Sequence, residues 1–174
     1  FQPPSIGEML TGGTLSSATE LVTNPDGSVQ LRGRQNSISE NEGNAIAAGN
    51  LSTAGEIGGN INVLGDLVTL SNADLNASGS SQGGLIRVGG DYKGNGPVYN
   101  ARQTNIDQTS TLTSDALENG DGGRVIVWSD QETYFSGHIN ARGGSGAGNG
   151  GFAEVSGKTR LIFDGSADLN APQG

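Results

Sequence analysis

Apolar and polar residues alternate in short bursts along this chain, and the same burst recurs. Four copies open with a glycine pair before a strand-like run: Gly58-Gly59 before Ile61-Asn62-Val63, Gly83-Gly84 before Ile86-Arg87-Val88, Gly122-Gly123 before Val125-Ile126-Val127, and Gly150-Gly151 before Ala153-Glu154-Val155. A period of two puts residues i and i+2 on one face of a strand. Ile61, Ile86, Val125 and Ala153 therefore point inward, together with Val63, Val88, Val127 and Val155. Asn62, Arg87, Ile126 and Glu154 point outward. Measured on the second inward residue, the copies are 25, 39 and 28 residues apart, and a weaker copy, Val29-Gln30-Leu31-Arg32-Gly33, precedes them.

Each copy predicts two further strands. The second is Leu67-Val68-Thr69-Leu70, Thr133-Tyr134-Phe135 or Leu161-Ile162-Phe163, with Ile38 in that place after Leu31. The third closes on an apolar residue, Asn and Ala: Leu75-Asn76-Ala77, Ile139-Asn140-Ala141 and Leu169-Asn170-Ala171. Gly, Asp, Asn and Ser, the turn formers, separate the runs. No window shows a helical stripe. A unit of this size cannot bury its own apolar face and must stack on its neighbour. The expected fold is an all-β parallel β-helix, a solenoid of about five turns. Residues 1–57 are expected to form an N-terminal turn or cap, and 58–174 the repeats, with an insertion at about 91–121. Shared repeat positions predict an amide ladder through Asn76, Asn140 and Asn170, because a buried amide needs a partner.

Composition sharpens this picture. The 174 residues contain 31 glycines and only 32% hydrophobic residues, figures that would suggest disorder if the apolar residues did not alternate. A net charge of −9 argues against nucleic acid and against adsorption to anionic lipid. No apolar run approaches the roughly 18 residues that span a bilayer, so membrane insertion is not expected. The absence of cysteine excludes disulfides and thiolate chemistry. Phe1 at the start, with no apolar signal segment, reads as a mature piece of something longer.

Little catalytic chemistry is legible. Glycoside hydrolysis needs two carboxyls about 5–9.5 Å apart. Glu154 stacks on Ile126, Arg87 and Asn62 rather than on an acid, and Asp74 and Asp168, at one repeat position, are three turns apart. His138, the only histidine, falls near Asp168 of the next turn with no Ser or Cys nucleophile beside it. The run Gly143–Gly151 lacks the Asp of a calcium-binding β-roll, and Gly157-Lys158-Thr159 lacks the first glycine of a phosphate loop. No catalytic residue, cofactor or metal is expected. Ile126 and Trp128, both outward on one strand, stand out. Either the extra residues after Val88 cover them, with Tyr92, Pro97, Val98 and Tyr99 as the apolar lid, or Ile126, Trp128, Tyr92 and Tyr99 form a partner surface. Ile106 and Leu112 would continue the core.

Residues 83–174 resemble the passenger repeats of filamentous-haemagglutinin-like, high-molecular-weight adhesins of the two-partner secretion family. The resemblance is carried by Gly-Gly-Leu-Ile-Arg-Val-Gly-Gly-Asp-Tyr at 83–92, Asp-Ala-Leu-Glu-Asn-Gly at 115–120, Gly-Gly-Arg-Val-Ile-Val-Trp at 122–128 and Gly-Asn-Gly-Gly-Phe-Ala-Glu-Val-Ser-Gly-Lys at 148–158. Asn24-Pro25-Asp26-Gly27 is similar to the Asn-Pro-Asn-Gly turn of that family's secretion domain, departing at Asp26. The resemblance implies a right-handed β-helical stalk, secreted or held at a bacterial cell surface, with no catalytic residues to carry over. It implies that the partner is a host or neighbouring cell surface, protein or glycan. A carbohydrate-binding or carbohydrate-cleaving β-helix is the alternative function. So is an extracellular filament subunit that self-associates end to end.

Overall fold

The computed structural model describes residues 18–23, 29–33 and 43–172. Sixteen strands account for most of them: β1 (Ala18–Thr23), β2 (Val29–Gly33), β3 (Asn44–Ser52), β4 (Gly55–Ile57), β5 (Asn60–Leu64), β6 (Leu67–Asn76), β7 (Gly79–Gln82), β8 (Leu85–Val88), β9 (Gln103–Ile106), β10 (Thr111–Thr113), β11 (Arg124–Ser129), β12 (Glu132–Phe135), β13 (His138–Asn140), β14 (Phe152–Gly157), β15 (Arg160–Phe163) and β16 (Ser166–Asp168). The first sheet runs β1-β2-β5-β8-β11-β14, and every pair after β1-β2 is parallel. The second sheet bends within the long strand β6. Leu67–Leu70 of β6 pair with β9, whereas Asp74–Asn76 pair with β10, so one sheet supplies two faces. The chain is a parallel β-helix with three main faces per turn. Its five turns start at β2, β5, β8, β11 and β14.

Period-two alternation becomes columns running along the axis. Ile61, Ile86, Val125 and Ala153 are in register, as are Val63, Val88, Val127 and Val155. Ile61, Val63, Ile86, Val88, Val125 and Val127 are fully buried. Leu51, Leu75, Leu112 and Ile139 make the column of the third face, and Ala47, Leu70, Ile106, Phe135 and Phe163 one of the second. Ile106 and Leu112 do continue the core. Removing such a side chain from water contributes about 1.5–3 kcal/mol. Phe135 and Phe163 stack with ring centroids 5.3 Å apart.

The repeated glycine pairs sit where one turn passes hard against the next. A Cβ on Gly84 would fall on the carbonyl oxygen of Gly59, one on Gly123 on that of Gly84, and one on Gly151 on that of Gly123. Only glycine fits this corner, which is why the doublet marks every copy.

Residues 44–57 belong to a stacked N-terminal turn, since β3 pairs with β6 and β4 with β7. Three expectations need revision. The second strand of that first turn is Asn44–Ala47; Ile38, the leader from Gln2 and Asn24–Gly27 lie outside the described residues. The span 91–121 is not all insertion: β9 and β10 are ordinary rungs within it, and the extra residues are 89–102 between β8 and β9. The amide ladder does not form. Asn140 pairs with Asp168 rather than Asn170, and Thr113 separates it from Asn76. Asn76 instead accepts the Ser78 N–H at 2.9 Å, and Asp168 accepts the Asn170 N–H at 3.1 Å. The position is a corner built from turn-forming side chains.

At the end where the first turn lies, β1 turns back antiparallel on β2, from Thr23 opposite Val29 to Ala18 opposite Gly33. This hairpin covers the edge of β2 and makes β1 the outermost described strand of the first sheet.

Candidate functional site

The outer face of the first sheet carries the most unusual side chains. Three rows cross it: Asn60, Leu85, Arg124 and Phe152; Asn62, Arg87, Ile126 and Glu154; and, at the end of the strands, Trp128 beside Ser156. Residues 89–102 leave β8, pass over this face and return to β9. At Gly89 the chain takes a left-handed turn (φ 77°), and a short 3-10 turn follows at Tyr92–Gly94.

Polar contacts fasten the loop at several points. Asp91 accepts the Tyr92 N–H at 2.7 Å and pairs with Arg87 Nε at 3.1 Å. The Lys93 N–H donates to Glu154 Oε2 at 3.0 Å, and the Asn100 side chain donates to the Gly94 carbonyl at 2.9 Å. Beneath the loop, Ile126 is 1% exposed and Trp128 9%. The indole lies against the backbone of Gly90 and Gly94, where any Cβ would collide with the ring. Its Nε1–H donates to Asp130 at 3.0 Å.

The cover is therefore glycine backbone rather than aromatic side chains. Tyr92 and Tyr99 remain 39% and 37% exposed, and Pro97 is exposed too. Tyr92 meets Phe152 edge-on, centroids 5.6 Å apart. Burial pushes the Tyr99 hydroxyl pKa up, and the nearby carboxylates of Asp66 and Asp130 push it further. Of the four candidate surface residues, Ile126 and Trp128 lie beneath the loop and Tyr92 and Tyr99 stand on its surface. Phe152 and Arg124 open their strands on the same outer face and were not singled out from the sequence.

The acidic side chains and the histidine do not converge. Asp74 pairs in register with Thr111 and thence with His138 and Ser166, so Asp168 belongs to a different column. His138 Nδ1 lies 2.8 Å from Ser166 Oγ, not beside Asp168. Asp115 is almost wholly buried and binds Arg142 through its backbone N–H at 2.7 Å and its guanidinium at 2.6 Å, a contact that raises the Arg142 pKa. Asp107 accepts from Ser71 Oγ, the Asn72 N–H, Thr109 and Ser110 Oγ. Burial pushes its pKa up, yet these hydrogen bonds outweigh burial and hold it below the usual carboxylate value. Both carboxylates fasten corners of the solenoid. Among the described residues, no group of three His, Asp or Glu is placed to hold a metal ion, and no helix is long and apolar enough to cross a membrane.

Stacked parallel turns with a loop sealed on one face define the molecule as a parallel β-helical solenoid. The chain is similar to the HMW1 secretion domain from Haemophilus influenzae, with 34% sequence identity and a TM-score of 0.61. The likeness covers 75% of this chain and 37% of that one, so the chain spans well under half of the relative's length. It supports a relation to two-partner-secretion adhesins. No family model and no curated protein matches.

Proposed function

We propose that this chain is a non-catalytic β-helical segment of a secreted, surface-associated adhesin, serving as a stiff rod that holds binding elements away from the cell. The observation that carries this reading is the unbroken parallel register of the inward columns over five turns, together with the likeness to the HMW1 secretion domain. Main-chain bonds between turns and a continuous apolar core resist bending, as a stalk requires. Asp107 and Asp115 are used to fasten corners of the solenoid, in keeping with a structural role.

A second reading is favoured by one specific observation: the neighbour is a secretion domain. On that reading the segment acts during export, with the turns stacking in sequence behind the antiparallel pair β1-β2.

Deleting residues 44–172 from the protein in its producing cell separates the two. Normal release or display of the shortened product, with cell adhesion lost, supports the stalk. Failure of export supports the secretion role. Depolymerisation of a polysaccharide by the purified chain, seen as new reducing ends, would overturn both.

A further inference from the structure

We propose that Tyr92, Lys93, Arg124 and Phe152 form a binding surface for an acidic polysaccharide whose pyranose units carry carboxylates. The proposal does not depend on the stalk reading. The cluster joins the covering loop to the outer face of the first sheet. Arg124 and Phe152 are paired neighbours on adjacent rungs. The Arg124 guanidinium lies 5.1 Å from the Phe152 ring centroid and 5.6 Å from that of Tyr92, and Lys93 Nζ lies 5.0 Å from the Tyr92 ring. Phe152 is 38% exposed.

Three features point to a ligand. First, the cations have no carboxylate partner. Among the described residues the ion pairs are Arg87–Asp91, Arg102–Asp66 and Arg142–Asp115. In a chain with 18 acidic and 9 basic residues, two cations resting on aromatic rings instead of acids are conspicuous. Second, the nearest carboxylates are already committed. Glu154 takes the Lys93 N–H on one oxygen and the Ser156 hydroxyl, at 3.0 Å, on the other. Asp91 is divided between Tyr92 and Arg87. The cations stay available while the acids fix the backbone beneath them. Third, this fixation preorganises the cluster, so little freedom is lost on binding.

The chemistry selects the ligand class. The apolar C–H face of a pyranose packs on an exposed aromatic ring, and the planar guanidinium forks a carboxylate. Two cations within a net charge of −9 are too few for nucleic acid. An acidic peptide adding as a strand would pair along the open edge of β14 and leave Arg124, on β11 between β8 and β14, off its path.

Titration calorimetry of the whole chain with galacturonate oligomers, neutral dextran oligomers of equal length, dextran sulfate and poly-glutamate tests the idea. The galacturonate oligomers should bind, the neutral ones should not, and raised salt should weaken the complex. Lys93→Gln with Arg124→Gln should weaken binding by about tenfold or more, as loss of charge-assisted contacts does. Tyr92→Ala should also weaken it while Trp128 emission stays unchanged, which shows the loop still docked. No binding of the galacturonate oligomers would overturn the proposal. Equal binding of dextran sulfate or poly-glutamate would do the same, as would a dimer in sedimentation that the double variant dissolves.

Discussion

Thr104 and Thr133 stand in an inward column between Val68 and Leu161, where a valine would serve packing equally well. Each hydroxyl is nonetheless satisfied: Thr104 donates to the Trp128 carbonyl at 2.8 Å, and Thr133 to that of Ser156 at 2.8 Å while also meeting Ser129 Oγ. These bonds tie the second face to the end of the first at two successive turns. Thr133→Val keeps the shape but leaves Ser129 and a carbonyl short of a partner, so it should cost about 1–2 kcal/mol in urea unfolding. Gly123→Ala would place a methyl group on the Gly84 carbonyl and the Ser114 hydroxyl, and a loss of about 1–3 kcal/mol is expected from such overpacking. Asp107 adds a pH dependence. A carboxyl held below its ordinary value of 3.8 stabilises the fold fully above that value, and the contribution disappears as pH falls past the lower folded one. Asp107→Asn should lower stability at neutral pH and flatten the acid limb of a pH–stability curve; an unchanged limb would refute the role given to Asp107. At this scale the sequence was legible wherever period two applied, since every inward valine is inward. It misled at Asn170, because Leu-Asn-Ala recurs two positions out of step with the strand. The spacing from β15 to β16 sets the register, and it places Ala167, not Leu169, over Ile139.

Among the elements, the strands hardest to read were those with the fewest apolar residues. Gln103-Thr104-Asn105-Ile106 contributes one aliphatic side chain, yet it pairs on both sides with β6 and β12. Parallel neighbours supply its backbone partners, and the threonine hydroxyl finds a carbonyl, so hydrophobicity is not needed to hold it. The loop over Trp128 was foreseeable in place but not in composition, because a glycine backbone used as a cover leaves no apolar signal. In the turn before, Gly65-Asp66 alone connects β5 to β6. Replacing residues 89–102 by Gly-Asp should therefore preserve the β-helix and uncover the indole. Trp128 is the chain's one tryptophan, and its emission should shift to the red and become quenchable by acrylamide. A shielded, blue-shifted tryptophan in that variant would contradict the covering role.

For the whole molecule, the two ends of the rod differ. Its first described strand, β1, runs antiparallel to β2, whereas the last described rung stacks β14 parallel on β11. Everything else rests on successive turns lying in one fixed parallel register. Neighbouring strands lie about 4.8 Å apart, within the Cα separation of about 4.4–6.8 Å that a disulfide tolerates. The chain has no cysteine of its own, so introduced pairs report register without background. The measurement is oxidative crosslinking of two double variants, His138→Cys with Ser166→Cys and His138→Cys with Asp168→Cys, read by mass spectrometry. The 138–166 pair should close under mild oxidation while the 138–168 pair stays reduced; the opposite outcome, or closure of neither, would contradict the stacking on which the account is built.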